Sequence, residues 1–79
     1  MEKQLIKSFF KWVSHDLYYE CDSKTLKQVK RKIKSLGFTK DDQTVFIKKC
    51  QELGGYCDCE VFFNIKDKQE DEFYKLIEE

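Results

Sequence analysis

Apolar residues in the first part of the chain recur at three- and four-residue steps: Ile6, Phe9, Phe10, Val13 and Leu17. That spacing gathers side chains on one helical face and predicts an amphipathic helix over residues 3–18. Its end has two readings, because Leu17, Tyr18 and Tyr19 are also good strand formers. The segment DLYYEC, residues 16–21, is either a last helical turn or a short strand. A second helix is predicted over residues 23–36, with Asp22 or Ser23 capping its first N–H groups and Gly37 as a left-handed C-cap. Leu26, Val29, Ile33 and Leu36 make its buried stripe, and Lys24, Lys27, Arg31 and Lys34 fall on the opposite face. A third helix begins after Thr39, with Asp41 and Asp42 at the positive end of its dipole. Phe46, Cys50 and Leu53 share one face of it, and Gly54-Gly55 ends it.

The period then changes. In YCDCEVFFNI, residues 56–65, Cys57, Cys59, Val61, Phe63 and Ile65 alternate with Tyr56, Asp58, Glu60, Phe62 and Asn64. Alternation is the period of a strand, with the cysteines facing the core and the carboxylates facing out. Asp67 and Glu70 open a short last helix whose apolar face is Phe73, Leu76 and Ile77. The expected fold is therefore α+β: a mainly helical single domain over residues 1–79, with three to four helices and one main strand in the C-terminal half. A lone strand leaves its backbone groups unpaired, so a short partner strand is expected from DLYYEC. The same strand from a second copy, paired across a homodimer axis, is the alternative.

Composition narrows the function classes. The chain has 79 residues, 15% of them aromatic, with no proline and three glycines, which fits one small packed core without long linkers. Lys+Arg and Asp+Glu balance at 15 each, so no global field draws the chain to a polyanion. No apolar run reaches the length of a signal peptide or a membrane span. The expected location is cytoplasmic, where thiols stay reduced, so the four cysteines are not read as a disulfide framework.

On a strand, Cys57 and Cys59 have Cβ atoms about 6.5 Å apart, against about 3.8 Å for a disulfide. This argues against a redox pair of those two. A structural zinc site would use Cys21, Cys57 and Cys59, with Cys50 or His15 as fourth ligand. The simpler reading is four small buried hydrophobes, because the C-x-x-C knuckle is missing. Asp58 and Glu60, on the outer face, suit a basic partner or a hard cation, or serve only as a charged strand edge. His15 is the only histidine, and without a Gly-rich loop or a nucleophile context no enzyme is expected.

The stretch IKSLGFTKDDQTVFIKKC, residues 33–50, has a helix-turn-helix outline. However, Asp41 and Asp42 would lead its second helix toward phosphates, and the lysine stripe lies on the first helix. The leading expectation is a non-enzymatic protein-interaction module that uses Asp58, Glu60, Lys24, Lys27, Arg31 and Lys34. The alternatives are a zinc-binding domain and a weak nucleic-acid binder through the basic stripe.

Gly54, Gly55, Tyr56, Cys57, Asp58, Cys59, Glu60 and Asn64, with an upstream Cys21-Asp22 pair, resemble a DUF2695-like family of small bacterial proteins of unknown function. The similarity spans roughly residues 20–65. In that family His often follows the Cys-Asp pair, whereas this chain has Ser23. The resemblance implies a bacterial or phage origin and a cytoplasmic single-domain protein, and it supplies no activity.

Overall fold

The computed structural model describes residues 2–17, 19, 21–65 and 70–77, and among them the backbone is helical, with no strand. The elements are α1 (Lys3–Trp12), running into a π-helical turn (Val13–Leu17), then α2 (Lys27–Leu36), α3 (Lys40–Glu52) and α4 (Asp58–Glu60). A second π-helical turn (Val61–Ile65) follows α4, and α5 (Glu70–Tyr74) is last. The apolar stripe of the first helix continues without a break, and Ile6, Phe9, Phe10, Val13 and Leu17 are all buried. α1 packs on α2 and α5, α3 packs on α2, and the two π-helical turns pack on each other.

The core is aromatic at its centre. The Phe46 ring lies 4.8 Å from Phe9, 5.1 Å from Phe38 and 4.6 Å from Phe73, measured between centroids. Phe10 adds an edge contact to Phe73 at 5.2 Å. One residue type thus joins α1, α3, α5 and the α2–α3 turn. An ion pair between Lys49 and Glu72, 3.7 Å apart, adds a polar tie from α3 to α5.

α3 starts as its sequence predicts: Thr39 Oγ1 accepts from the Asp42 amide at 3.1 Å. It ends in a Schellman motif, with the Gly55 amide bonded to the Cys50 carbonyl at 2.7 Å and the Gly54 amide to the Gln51 carbonyl at 3.1 Å. Gly54 has φ +92, the left-handed conformation this motif requires. Gly55 is held by contact instead, because a Cβ there would lie 2.5 Å from Ile65 Cδ1 and 2.9 Å from Val61 Cγ2. Gly37 closes α2 with φ +98.

The expected α+β fold is overturned at YCDCEVFFNI. Asp58–Glu60 is helical and Val61–Ile65 is a π-helical turn. The buried positions are Cys57, Asp58, Val61 and Ile65, steps of one, three and four residues, which is a helical stripe. Cys57, Val61 and Ile65 lie four apart, and a four-residue step is compatible with both periods. The positions that separate the two readings went the helical way. Phe63, expected inside, is 64% exposed, while Phe62, expected outside, packs partly against the core. Asp58, expected outside, is fully buried, and Glu60 is half-buried.

The partner strand fails as well. Asp16 and Leu17 belong to the first π-helical turn, Tyr19 is helical, and Cys21 lies in irregular backbone; Tyr18 and Glu20 lie outside the described residues. Among the described residues there is no strand to complete, and the reason given for pairing two copies edge to edge disappears. The second helix begins at Lys27, four residues later than expected. Of its two expected caps, Asp22 and Ser23, Asp22 instead accepts from the amides of Lys24 at 2.7 Å and Thr25 at 3.2 Å, forming a turn ahead of the helix. The expected Asp67 cap of the last helix lies outside the described residues.

Candidate functional site

α2 starts without a cap of its own. The residue at its N-cap position is Leu26, whose side chain offers no acceptor. The missing acceptor comes from across the fold. Asp58 Oδ2 accepts from the amides of Asp22 and Gln28, both at 3.0 Å, and Oδ1 accepts from the amide of Val29 at 3.1 Å. In return the Asp58 amide donates to the Thr25 carbonyl at 2.8 Å. Gln28 and Val29 occupy the first turn of α2, where the positive end of the helix dipole also favours a carboxylate. Asp58 is the one buried charged residue among those described, and these bonds account for its burial. The turn at Asp22 tightens the same segment, and the Lys24 and Thr25 amides hold the Asp22 carboxyl below its ordinary range, with Lys27 contributing.

The flanking residues serve the same clasp. Glu60 Oε1 accepts from the Tyr56 amide at 3.0 Å, and Asn64 Nδ2 donates to the Gly54 carbonyl at 3.0 Å. Cys59 Sγ lies 2.9 Å from Cys21 Sγ, although the two are 38 positions apart in sequence. The hydrogen bond with Cys21, burial and the negative neighbours push the Cys59 thiol up to about 11. Asp58, Cys59, Glu60 and Asn64 thus each make a side-chain contact at the junction of α2, α4 and the α3 C-terminus.

The sequence-selected residues distribute unevenly over this geometry. Cys21 and Cys59 meet, and Cys57 is buried beside them, close enough to influence the Cys59 thiol. Cys50 is fully enclosed in the apolar core, where burial pushes its thiol up to about 12. His15 is exposed on the first π-helical turn, lining a shallow hollow with Lys11, Trp12 and Lys32. Among the described residues no three His, Cys, Asp or Glu side chains form a group suited to a metal ion.

Asp58 is not the outward carboxylate expected for a partner or cation: both of its oxygens are committed to backbone amides. Lys24, Lys27, Arg31 and Lys34 are all exposed. Reasoning by alternation missed the Asp58 cap, and Asp22 and Ser23 offered a local cap that concealed the start of the helix at Lys27. Alternation also placed Phe63 inside, where the ring is 64% exposed, whereas Tyr56, placed on the outer face, is 63% exposed.

No helix among the described residues is long and apolar enough to cross a membrane. No curated protein and no solved structure matches the chain. The family described as "Protein of unknown function (DUF2695)" matches residues 9–64, from the core of α1 through the whole clasp to Asn64. That span covers more than half of the 79 residues, and the chain belongs to the DUF2695 family.

Proposed function

We propose that the domain is a non-enzymatic protein-interaction module whose contact residues are the exposed aromatics Tyr56 and Phe63. The observation that carries this reading is their exposure, 63% and 64%, on backbone already fixed by hydrogen bonds. The Tyr56 amide is tied to Glu60, and Asn64, next to Phe63, is tied to the Gly54 carbonyl. Aromatic side chains held on a rigid frame lose little entropy on binding, and such residues dominate the energetics of protein interfaces. Phe63 is further oriented by an edge contact with Phe62 at 5.3 Å. The partner that fits is a protein offering an apolar pocket.

The expected acidic contribution to this surface shrinks to Glu60, since Asp58 is buried. Lys24, Lys27, Arg31 and Lys34 remain available at the entrance and along the outer face of α2 as a separate charged flank. Truncating both aromatics, Tyr56→Ala with Phe63→Ala, should weaken a complex at least about tenfold, the scale of one interface hot spot, while leaving thermal stability nearly unchanged. Quantitative affinity capture followed by titration of the captured protein checks this. If the double variant binds that protein as tightly as the parent, the reading fails. If charge reversal at Lys27 and Arg31 alone abolishes a salt-sensitive association with nucleic acid, the basic flank is the functional surface instead.

A further inference from the structure

The proposed contact surface makes no use of the two thiols at the entrance of α2. We propose that Cys21 and Cys59 form a reversible thiol-oxidation site, closing to an intramolecular disulfide in the presence of a low-molecular-weight disulfide such as oxidised glutathione. Their sulfurs stand 2.9 Å apart, and the S–S bond length is about 2.05 Å, so closure needs a shift of under about 1 Å. Both residues are half-buried, whereas Cys57 is 8% exposed and Cys50 is fully enclosed. The reactive pair is therefore selected twice, by proximity and by access.

The chemistry is two exchanges. The Cys21 thiolate attacks one sulfur of the glutathione disulfide, leaving a mixed disulfide on Cys21 and releasing one glutathione thiolate, which takes up the proton Cys21 gave to solvent. The Cys59 thiol then loses its proton and attacks Cys21 Sγ, expelling the second glutathione, which is protonated in turn. Two S–H bonds are replaced by one S–S bond, and two electrons pass to the oxidant, which leaves as two thiols. Cys59 is placed for the second step by its distance from Cys21 Sγ, and once Cys21 carries the mixed disulfide the Cys21 S–H contact that raised the Cys59 thiol is gone.

The bond would join the irregular segment before α2 to α4, on either side of the Asp58 cap. Closing a loop of 38 intervening steps constrains the unfolded chain strongly. The oxidised protein should melt at least about 10 °C higher than the reduced one.

The test exposes the full, reduced chain to oxidised glutathione in native buffer, quenches with acid, and records the intact mass, the melting temperature and a non-reducing peptide map. Cleavage on the N-terminal side of Asp58 separates Cys59 from Cys57. The expected result is a loss of two hydrogens, a linked pair of peptides carrying Cys21 and Cys59, and the raised melting temperature. Cys21→Ser and Cys59→Ser should each retain a glutathione adduct on the remaining thiol and show no rise. The map of the parent chain decides the matter even if a variant fails to fold. A link that instead involves Cys57 or Cys50, four thiols left unreacted, or a tightly retained zinc ion that shields Cys21 and Cys59 would overturn the proposal.

Discussion

Replacing Asp58 with Ala is expected to destabilise the domain by about 3 kcal/mol, because one side chain serves three backbone amides. A single helix cap contributes about 1 kcal/mol, and leaving a buried donor without an acceptor costs about 1–3 kcal/mol. The Val29 amide bears the largest share: Val29 is fully buried, and no water reaches its N–H. In a domain of this size the melting temperature should fall by roughly 10–20 °C. Asp58→Asn should recover only part of the loss, since its single oxygen accepts while its amide nitrogen faces donors. Thermal unfolding of the three proteins side by side checks the order. If Asp58→Ala melts within a few degrees of the parent, the carboxylate does not hold α2.

The second large effect is expected at Phe46→Ala. Phe46 has no solvent exposure, and three other phenylalanine rings surround it, from α1, the α2–α3 turn and α5. Removing the ring loses its transfer free energy and opens a cavity whose walls are stiff aromatics, at a cost of about 4 kcal/mol. Natural domains are stable by about 5–15 kcal/mol, and a chain this short belongs near the lower end. Phe46→Ala should therefore be largely unfolded in urea concentrations that leave the parent intact, while Phe46→Leu should lose about 1.5 kcal/mol or less. Equal midpoints for the two variants in urea titration would show that the aromatic cluster is not the centre of the core.

The difference between these two residues explains what the chain reveals when read alone. Phe46 belongs to a regular amphipathic helix, and the three- and four-residue spacing of Ile6, Phe9, Phe10, Val13 and Leu17, or of Val29 and Ile33, is a local property. Those helices, the Thr39 cap and the Gly37 and Gly54 stops are legible because each depends on residues close in sequence. Asp58 depends on partners about thirty residues away. Its burial also inverts the usual reading of a carboxylate between two thiols.

Alternation over ten residues suggested a strand because Cys57, Val61 and Ile65 satisfy both periods. Among the apolar positions Phe62 and Phe63 distinguish them, and adjacent identical residues carry no information about which one faces inward. With Asp58–Glu60 helical, the strand spacing of Cys57 and Cys59 no longer applies. The pair that does meet, Cys21 with Cys59, was brought together only in the alternative zinc reading, the simpler one making all four cysteines buried hydrophobes. The Gly-Gly-aromatic-Cys-Asp-Cys-Glu motif now reads as a clasp that seats α2 on the C-terminal end of α3.

The most direct test of that clasp is amide hydrogen exchange at Gln28 and Val29, resolved residue by residue in the native protein. First-turn amides of a helix ordinarily lack partners and exchange rapidly. With Asp58 accepting from both, the account predicts protection as strong as at Ile33 in the middle of α2, and its loss in Asp58→Ala. Rapid exchange of Gln28 and Val29 in the parent protein, with Ile33 still protected, would contradict it.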